Sequence, residues 1–331
     1  MASGSCWHSS RRRQGSSHVV DEGTSEHGRD GLVLRAVEPP CEGPNDGSTS
    51  LGSHRRGERM SARERIERSE GRRLFGLDPE GYDAARPRYP TALFDAMRAA
   101  GVFARGRSTL EIGAGSGLAT KPLLELGADP LTVIEPDRRF HDMLGRLVKA
   151  SDAQCTIDSR AFEDFVSTER FDLVVVATAF HWLEPVSALR KIATLLVPGG
   201  RVALLWNVLQ VIGMRDAFHE ATQSLLANQT TSASGEPGAV PYALDRAALE
   251  ADLARAGAFN VPEYHEIRWT HVLDTRGVGQ LYEGFSHIQR LGEDERKALL
   301  ERLMDIADRE FGGRVERNVT SVLYLASAAF S

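Results

Sequence analysis

The 331-residue chain has only three cysteines, Cys6, Cys41 and Cys155, at spacings that match neither a disulfide framework nor a metal cluster. That usage fits a reducing compartment. No run comes near the roughly 18 apolar residues a membrane span requires. Arg11, Arg12 and Arg13 lead into polar residues, not into the apolar segment of a signal peptide. The expectation is a cytoplasmic protein with no membrane partner. Positive charge is also in short supply: a net charge of -6 leaves no overall basic field, so nucleic acid is not expected as a partner. No His, Cys or Asp cluster has metal-ligand spacing, and no metal is expected. With 41% hydrophobic and 26% charged residues, the chain has the composition of a globular protein with a sizeable core.

Two regions differ in character. Residues 1–59 are rich in Ser, Gly, Arg and acids and cannot bury enough surface to offset their ordering entropy, so disorder is expected there. From Met60 the charge and apolar spacing turn helical, and 60–331 is expected to form one domain with a core at about 90–210. Strands are expected at 108–112, 131–135, 153–157, 171–177 and 200–206, with helices beginning near Gly117, Asp137, Phe162 and Glu184 and another after Gly213. Such alternation predicts an α/β fold: a doubly wound, mainly parallel sheet with helices on both faces. A loop is expected after Leu226, then a helix ended by Gly257, a strand at "EYHEIRWTHVL", a helix at "DERKALLERLMDIADREF" and a last strand at "RVERNVTSVLYLASA".

The first expected strand ends in "EIGAGSGL". A strand that turns into a helix through alternating glycines brings backbone amides close to a ligand. Dinucleotide folds use G-x-G-x-x-G at this place, and Leu118 at the sixth position breaks that pattern. Glu111, just before the first glycine, suggests a ligand with positive charge. Glu135 closes the next strand, 18 residues beyond Gly117, where a carboxylate can accept both ribose hydroxyls of an adenosine.

Together, "EIGAGSG", "VIEPD", "FDLVVVATAFHWL" and "LLVPGG" resemble the motifs of the class I S-adenosylmethionine-dependent methyltransferases. "YDAARPRYP" ahead of the glycine turn, combined with "AFHWL", resembles more narrowly the type 11 branch that includes trans-aconitate methyltransferase-like enzymes. The resemblance covers about 70–210 and implies a Rossmann-like, seven-stranded sheet with C-terminal helical embellishments. The implied cofactor is S-adenosyl-L-methionine, leaving S-adenosyl-L-homocysteine, and the implied reaction is in-line methyl transfer. Carried over residue by residue, Gly113, Ala114, Gly115 and Gly117 line the methionine and ribose portion, Glu135 holds the ribose and Pro136 packs near the adenine. Ala161 stands where many members have Asp or Ser, so the adenine edge falls to Phe162 and its backbone. Ala177, His181 and Trp182 close the fourth strand near the transferred methyl.

Two readings stay open for Arg86, with Tyr82 beside it: a clamp for the methionine carboxylate, or an exposed residue in the turn that enters the next helix. His181 is read either as a general base or as a residue that only orients the loop. Phe285 and His287 are candidates to roof an acceptor pocket built from 211–331, with core packing the favoured reading for Phe285, and His141 is expected at the surface. The function expected is methyl transfer to a small-molecule acceptor. The rivals are a cofactor-binding regulator or partner subunit without transferase activity, a methyltransferase with a macromolecular acceptor, and a nicotinamide-dependent oxidoreductase, against which Leu118 argues. Composition says nothing of the oligomeric state.

Overall fold

The computed structural model describes residues 78–103, 106–226 and 240–329. The segment 1–59, the helical pattern from Met60 and most of the loop after Leu226 lie outside the described residues. Two short helices come first, α1 (Pro79–Ala85) and α2 (Thr91–Ala99). Then follow β1 (Thr109–Ile112), α3 (Thr120–Glu125), β2 (Leu131–Ile134), α4 (His141–Lys149), β3 (Cys155–Asp158), β4 (Phe171–Ala177), α5 (Pro185–Leu195) and β5 (Leu196–Val208). The C-terminal part adds α6 (Ala217–Leu226), α7 (Arg246–Ala256), β6 (Glu263–Asp274), α8 (Thr275–Glu283), α9 (Ser286–Gln289), α10 (Glu293–Phe311) and β7 (Arg314–Ser327).

The strands form a seven-stranded sheet in the order β3-β2-β1-β4-β5-β7-β6, with β7 antiparallel to both neighbours. The central strands read as unbroken apolar runs because both of their faces are covered. On β4, Val174 and Val176 enter one core with Leu189 and Ile192 of α5, while Leu173 and Val175 enter the other with Phe94 and Met97 of α2 and Leu123 of α3. Strand order reverses between β1 and β4, which is where an open α/β sheet leaves its ligand crevice.

A third core lies on the C-terminal elements. The β6–β7 ladder runs on past the last β5 partner, Thr320, as far as Arg314, and this extension supports α6, α8 and α10 around Phe218, Val278, Leu281, Leu303 and Val315. A buried ion pair fastens it: Arg317 Nε lies 3.1 Å from Asp216 Oδ2, and its Nη1 donates to the phenol oxygen of Tyr282 at 2.7 Å. Asp216 also accepts from the backbone of His219 and Asn318, which pins the start of α6 to β7.

The expected elements are present with several differences, among them β5, which starts at Leu196 and not at 200 so that "VPGG" lies within it, and the unexpected short helix α9. No helix begins near Phe162; residues 161–165 form a single turn closed by Phe165 N to Ala161 O. Phe162 and Phe165 are both buried, and the short apolar cluster that suggested a helix is spent on anchoring this turn. The third strand is shifted to 155–158 by its pairing with β2. Helix α8 arises in "TRGVGQLYE", where two glycines lower the local helical preference and packing of Val278, Leu281 and Tyr282 overrides it.

Candidate functional site

Beyond the carboxyl ends of β1, β2, β4 and β5 lies a cavity of about 720 Å³, within the usual range of roughly 300–1,000 Å³ for small-molecule sites. Of the residues singled out in the sequence, Tyr82, Arg86, Gly113, Ala114, Gly115, Glu135, Pro136, Ala161, Phe162, Ala177, His181 and Trp182 line it. Glu111 and Gly117 do not.

Glu111 is placed otherwise than the sequence suggested. Its carboxyl is 1% exposed, with Oε2 accepting from Thr120 Oγ1 at 2.7 Å and Oε1 without a hydrogen-bond partner. It sits behind the glycine turn, not in front of a ligand. Burial, and then the negative charge of Glu135, push it up to about 7, against a hydrogen bond from Thr120 that pulls it down. Gly117 is a packing residue. Its φ of +91° favours glycine, and a Cβ there would stand 2.3 Å from Leu147 Cδ1 of α4, whose side chain would have to move. Gly113, at φ +71°, faces the cavity, and its missing Cβ leaves room for the Ala179 side chain, 2.7 Å from where that Cβ would be.

Glu135 joins the two expected parts of the site. It is 6% exposed, yet its Oε2 accepts from Gly115 N at 2.7 Å and its Oε1 from Asp137 N at 2.8 Å. Burial raises its pKa, and the two backbone donors pull it back. Two of about four lone-pair positions are used, so the carboxylate can still accept from a diol. His141, expected at the surface, is half-buried: its Nε2 lies 2.7 Å from the carbonyl of Glu135 and supports the same corner. On the far side, Lys191 Nζ donates to the carbonyls of Phe162 and Glu163 at 2.7 and 2.8 Å and holds the 161–165 turn in place.

The opposite wall comes from segments distant in sequence. Arg86 Nη2 donates to Gly284 O at 3.0 Å, and its guanidinium lies 4.8 Å from the Tyr82 ring centre and 5.0 Å from that of Phe285. His287 stacks on Phe285 at 12° between planes, and burial, aided by the Arg86 charge, pushes it down to about 4, so the ring is neutral at pH 7. Asn207, at the end of β5, donates to Pro87 O and accepts from Ser321 Oγ, which in turn accepts from Trp269 Nε1. His181 and Trp182 follow β4 with ring centres 4.7 Å apart.

Comparison with known proteins gives this constellation a family. A model described as a methyltransferase domain matches residues 110–204, from β1 through most of β5. Residues 110–204 are a methyltransferase domain of the type 11 branch, and the protein is an S-adenosylmethionine-dependent methyltransferase. An uncharacterized methyltransferase of Mycobacterium tuberculosis is 27% identical over 70% of this chain and 84% of its own length. An uncharacterized methyltransferase-like protein of Schizosaccharomyces pombe is 26% identical over 71% and 86%. Among solved structures, an S-adenosylmethionine-dependent methyltransferase of Thiobacillus denitrificans in complex with S-adenosylhomocysteine aligns with a TM-score of 0.47 at 16% identity, covering 73% of this chain and 93% of that one.

S-adenosylmethionine is the cofactor of this methyltransferase. The cavity offers the kinds of group it needs: a buried carboxylate with spare acceptor positions for a ribose, an apolar corner at Pro136 and Phe162, and a guanidinium at Arg86. Sequence reasoning did not single out Tyr89, Thr178, Trp206, Asn207 and Tyr242, which also line the cavity. Tyr89 and Thr178 lie inside the quoted motifs "YDAARPRYP" and "FDLVVVATAFHWL" without having been picked out there, whereas Trp206, Asn207 and Tyr242 belong to a strand end and a turn, and the convergence of all five has no signal along the chain. Among the described residues no group of three or more His, Cys, Asp or Glu is placed to hold a metal, and no helix is long and apolar enough to cross a membrane.

Proposed function

We propose that this methyltransferase acts on a small molecule held in the same cavity as the cofactor, by in-line displacement. The observation that carries the reading is the second wall of the cavity. Beyond the residues that suit the cofactor, it continues over Trp206, Val208, Leu209, Tyr242 and Phe285, giving apolar area for another ligand inside one enclosure.

In this reading Gly113, Ala114 and Gly115 line the methionine and ribose portion, Glu135 binds the ribose hydroxyls, and Pro136, Ala161 and Phe162 border the adenine. Arg86, steadied by Tyr82, Phe285 and the Gly284 carbonyl, pairs with the methionine carboxylate. The cofactor supplies an activated methyl group on a sulfonium, so the protein's contribution is mainly to align donor and acceptor and to exclude water. Ala177 and Trp182 border the reacting region. His181 is the proposed proton acceptor where the nucleophile carries a proton. Residues 60–331 form the functional unit in this reading, with 211–331 on the substrate side. The cytoplasmic location and the lack of a nucleic-acid partner rest on composition alone.

Methyl-labelled S-adenosylmethionine incubated with the protein and a size-fractionated cell extract tests the acceptor class. Label in the low-mass fraction is the expected result, and label confined to protein or nucleic acid would refute it. Glu135→Ala should weaken cofactor binding by about 1.5–3 kcal/mol through loss of charge-assisted hydrogen bonds. Unchanged affinity by calorimetry in a folded variant removes the ribose placement.

A further inference from the structure

Thr178 is the one non-glycine residue among those described with positive φ, at +50°. For a β-branched side chain this conformation is an outlier that the surroundings have to hold in place. The Thr178 backbone is tied to β5, its N–H donating to Leu205 O at 2.7 Å. The result is that Oγ1 lies 2.6 Å from the Tyr89 hydroxyl. Both residues line the cavity, and Thr178 directly follows β4, beside the β1/β4 reversal of strand order. The strained backbone places a hydroxyl at this point, where glycine would have met the conformational demand without strain.

Two hydroxyls that share one hydrogen bond keep unused lone pairs. They are also neutral, since burial raises the Tyr89 phenol far above its ordinary range. Such a pair offers dipoles, not charge, and it is no base. Three carboxylates line the cavity: Glu135, engaged by Gly115 N and Asp137 N; Asp137, engaged by Arg139 at 2.7 Å; and Glu163, on the 161–165 turn next to Phe162. No carboxylate comes from the wall made by 82–89, 177–183, 206–209, 241–243 and 285–287. A cationic centre taken out of water needs compensation. Uncharged oxygens supply it without the strong ground-state stabilisation of an ion pair, which would be lost as the charge disappears during methyl transfer.

We propose that the Tyr89–Thr178 hydroxyl pair recognises the sulfonium centre of the methyl donor and distinguishes it from the uncharged thioether left after transfer. The pair thereby favours binding of the charged donor and release of the spent cofactor. Thr178 has a second, positioning role, because its hydrogen bond orients the Tyr89 hydroxyl. The inference rests on the placement of the cofactor in this cavity given under the proposed function.

Calorimetric titration of the full chain with S-adenosylmethionine and with S-adenosylhomocysteine tests it without any acceptor. In Tyr89→Phe and Thr178→Val, affinity for the sulfonium ligand should fall roughly 3- to 10-fold relative to that for the thioether. Thr178→Ser, which keeps the hydroxyl, should retain the wild-type ratio. Tyr89→Phe leaves the strained backbone untouched and decides the matter alone if the valine variant does not fold. Wild-type protein and variants that bind both ligands with one common ratio would overturn the proposal while leaving the cofactor placement intact. Wild-type protein that binds neither ligand would overturn both.

Discussion

Replacing Glu111 by glutamine tests the account of the glycine turn most directly. In the unfolded chain this carboxyl ionises near 4.5, and in the folded protein near 7, because burial penalises the anion more than the Thr120 hydroxyl stabilises it. Between those values the folded protein holds a proton that the unfolded chain has released. Stability therefore falls as pH rises through this window and levels off above about 7. At about 1.4 kcal/mol per pH unit, the difference between 4.5 and about 7 amounts to about 3 kcal/mol. Glu111→Gln carries no such proton and escapes the loss. Urea unfolding of both proteins across the range from about pH 5 to about pH 8 should show the variant gaining on the wild type by most of that amount. A stability difference that stays constant with pH would refute the buried, half-satisfied carboxyl on which the reasoning depends.

Gly117→Ala should destabilise the fold by about 1–3 kcal/mol in urea unfolding, because the new Cβ meets Leu147 at a left-handed φ; a neutral result would show that α4 yields. Asp216→Ala strands the Arg317 guanidinium, which is 3% exposed, and should cost about 3–5 kcal/mol by chemical denaturation. A loss below about 1 kcal/mol would mean that the ion pair is solvated. His287 should remain neutral until about pH 4 in an NMR titration, since burial and the Arg86 charge both oppose its protonation. The unfolded ring charges below about 6.5, so this histidine makes stability fall as pH drops from about 6.5 to 4. A titration at the ordinary value would place His287 in open water.

The parallel core was legible because each strand had to be apolar on both faces, as in "FDLVVVA", and each glycine or polar cluster marked a turn. Helix α7 ends where Gly257 supplies the left-handed cap expected of it, at φ +69°. The segment from 161 to 165 was misleading, because its phenylalanines anchor a turn and do not form a helical stripe. The glycine turn and Glu135 were legible as a pair, since a charged residue that closes a buried strand needs a partner. That its partners include Gly115 N was not legible, because the hydrogen bond spans 20 residues and depends on how β1 and β2 align.

By itself the sequence determined the order of strands and helices, the crevice beyond β1 and the family of its glycine turn, because periodicity and turn chemistry are local properties of the chain. It did not determine which side chains meet. Whether Glu111 faced a ligand or the core depended on the packing behind the turn, and Thr120 and the cores on either side placed it inside. The wall opposite Glu135 was decided only when the extended β6–β7 ladder carried Phe285 and His287 over the crevice and when Thr178 turned its hydroxyl to Tyr89. Such contacts join residues 89 to nearly 200 positions apart, and only the packed fold brings them within hydrogen-bonding reach.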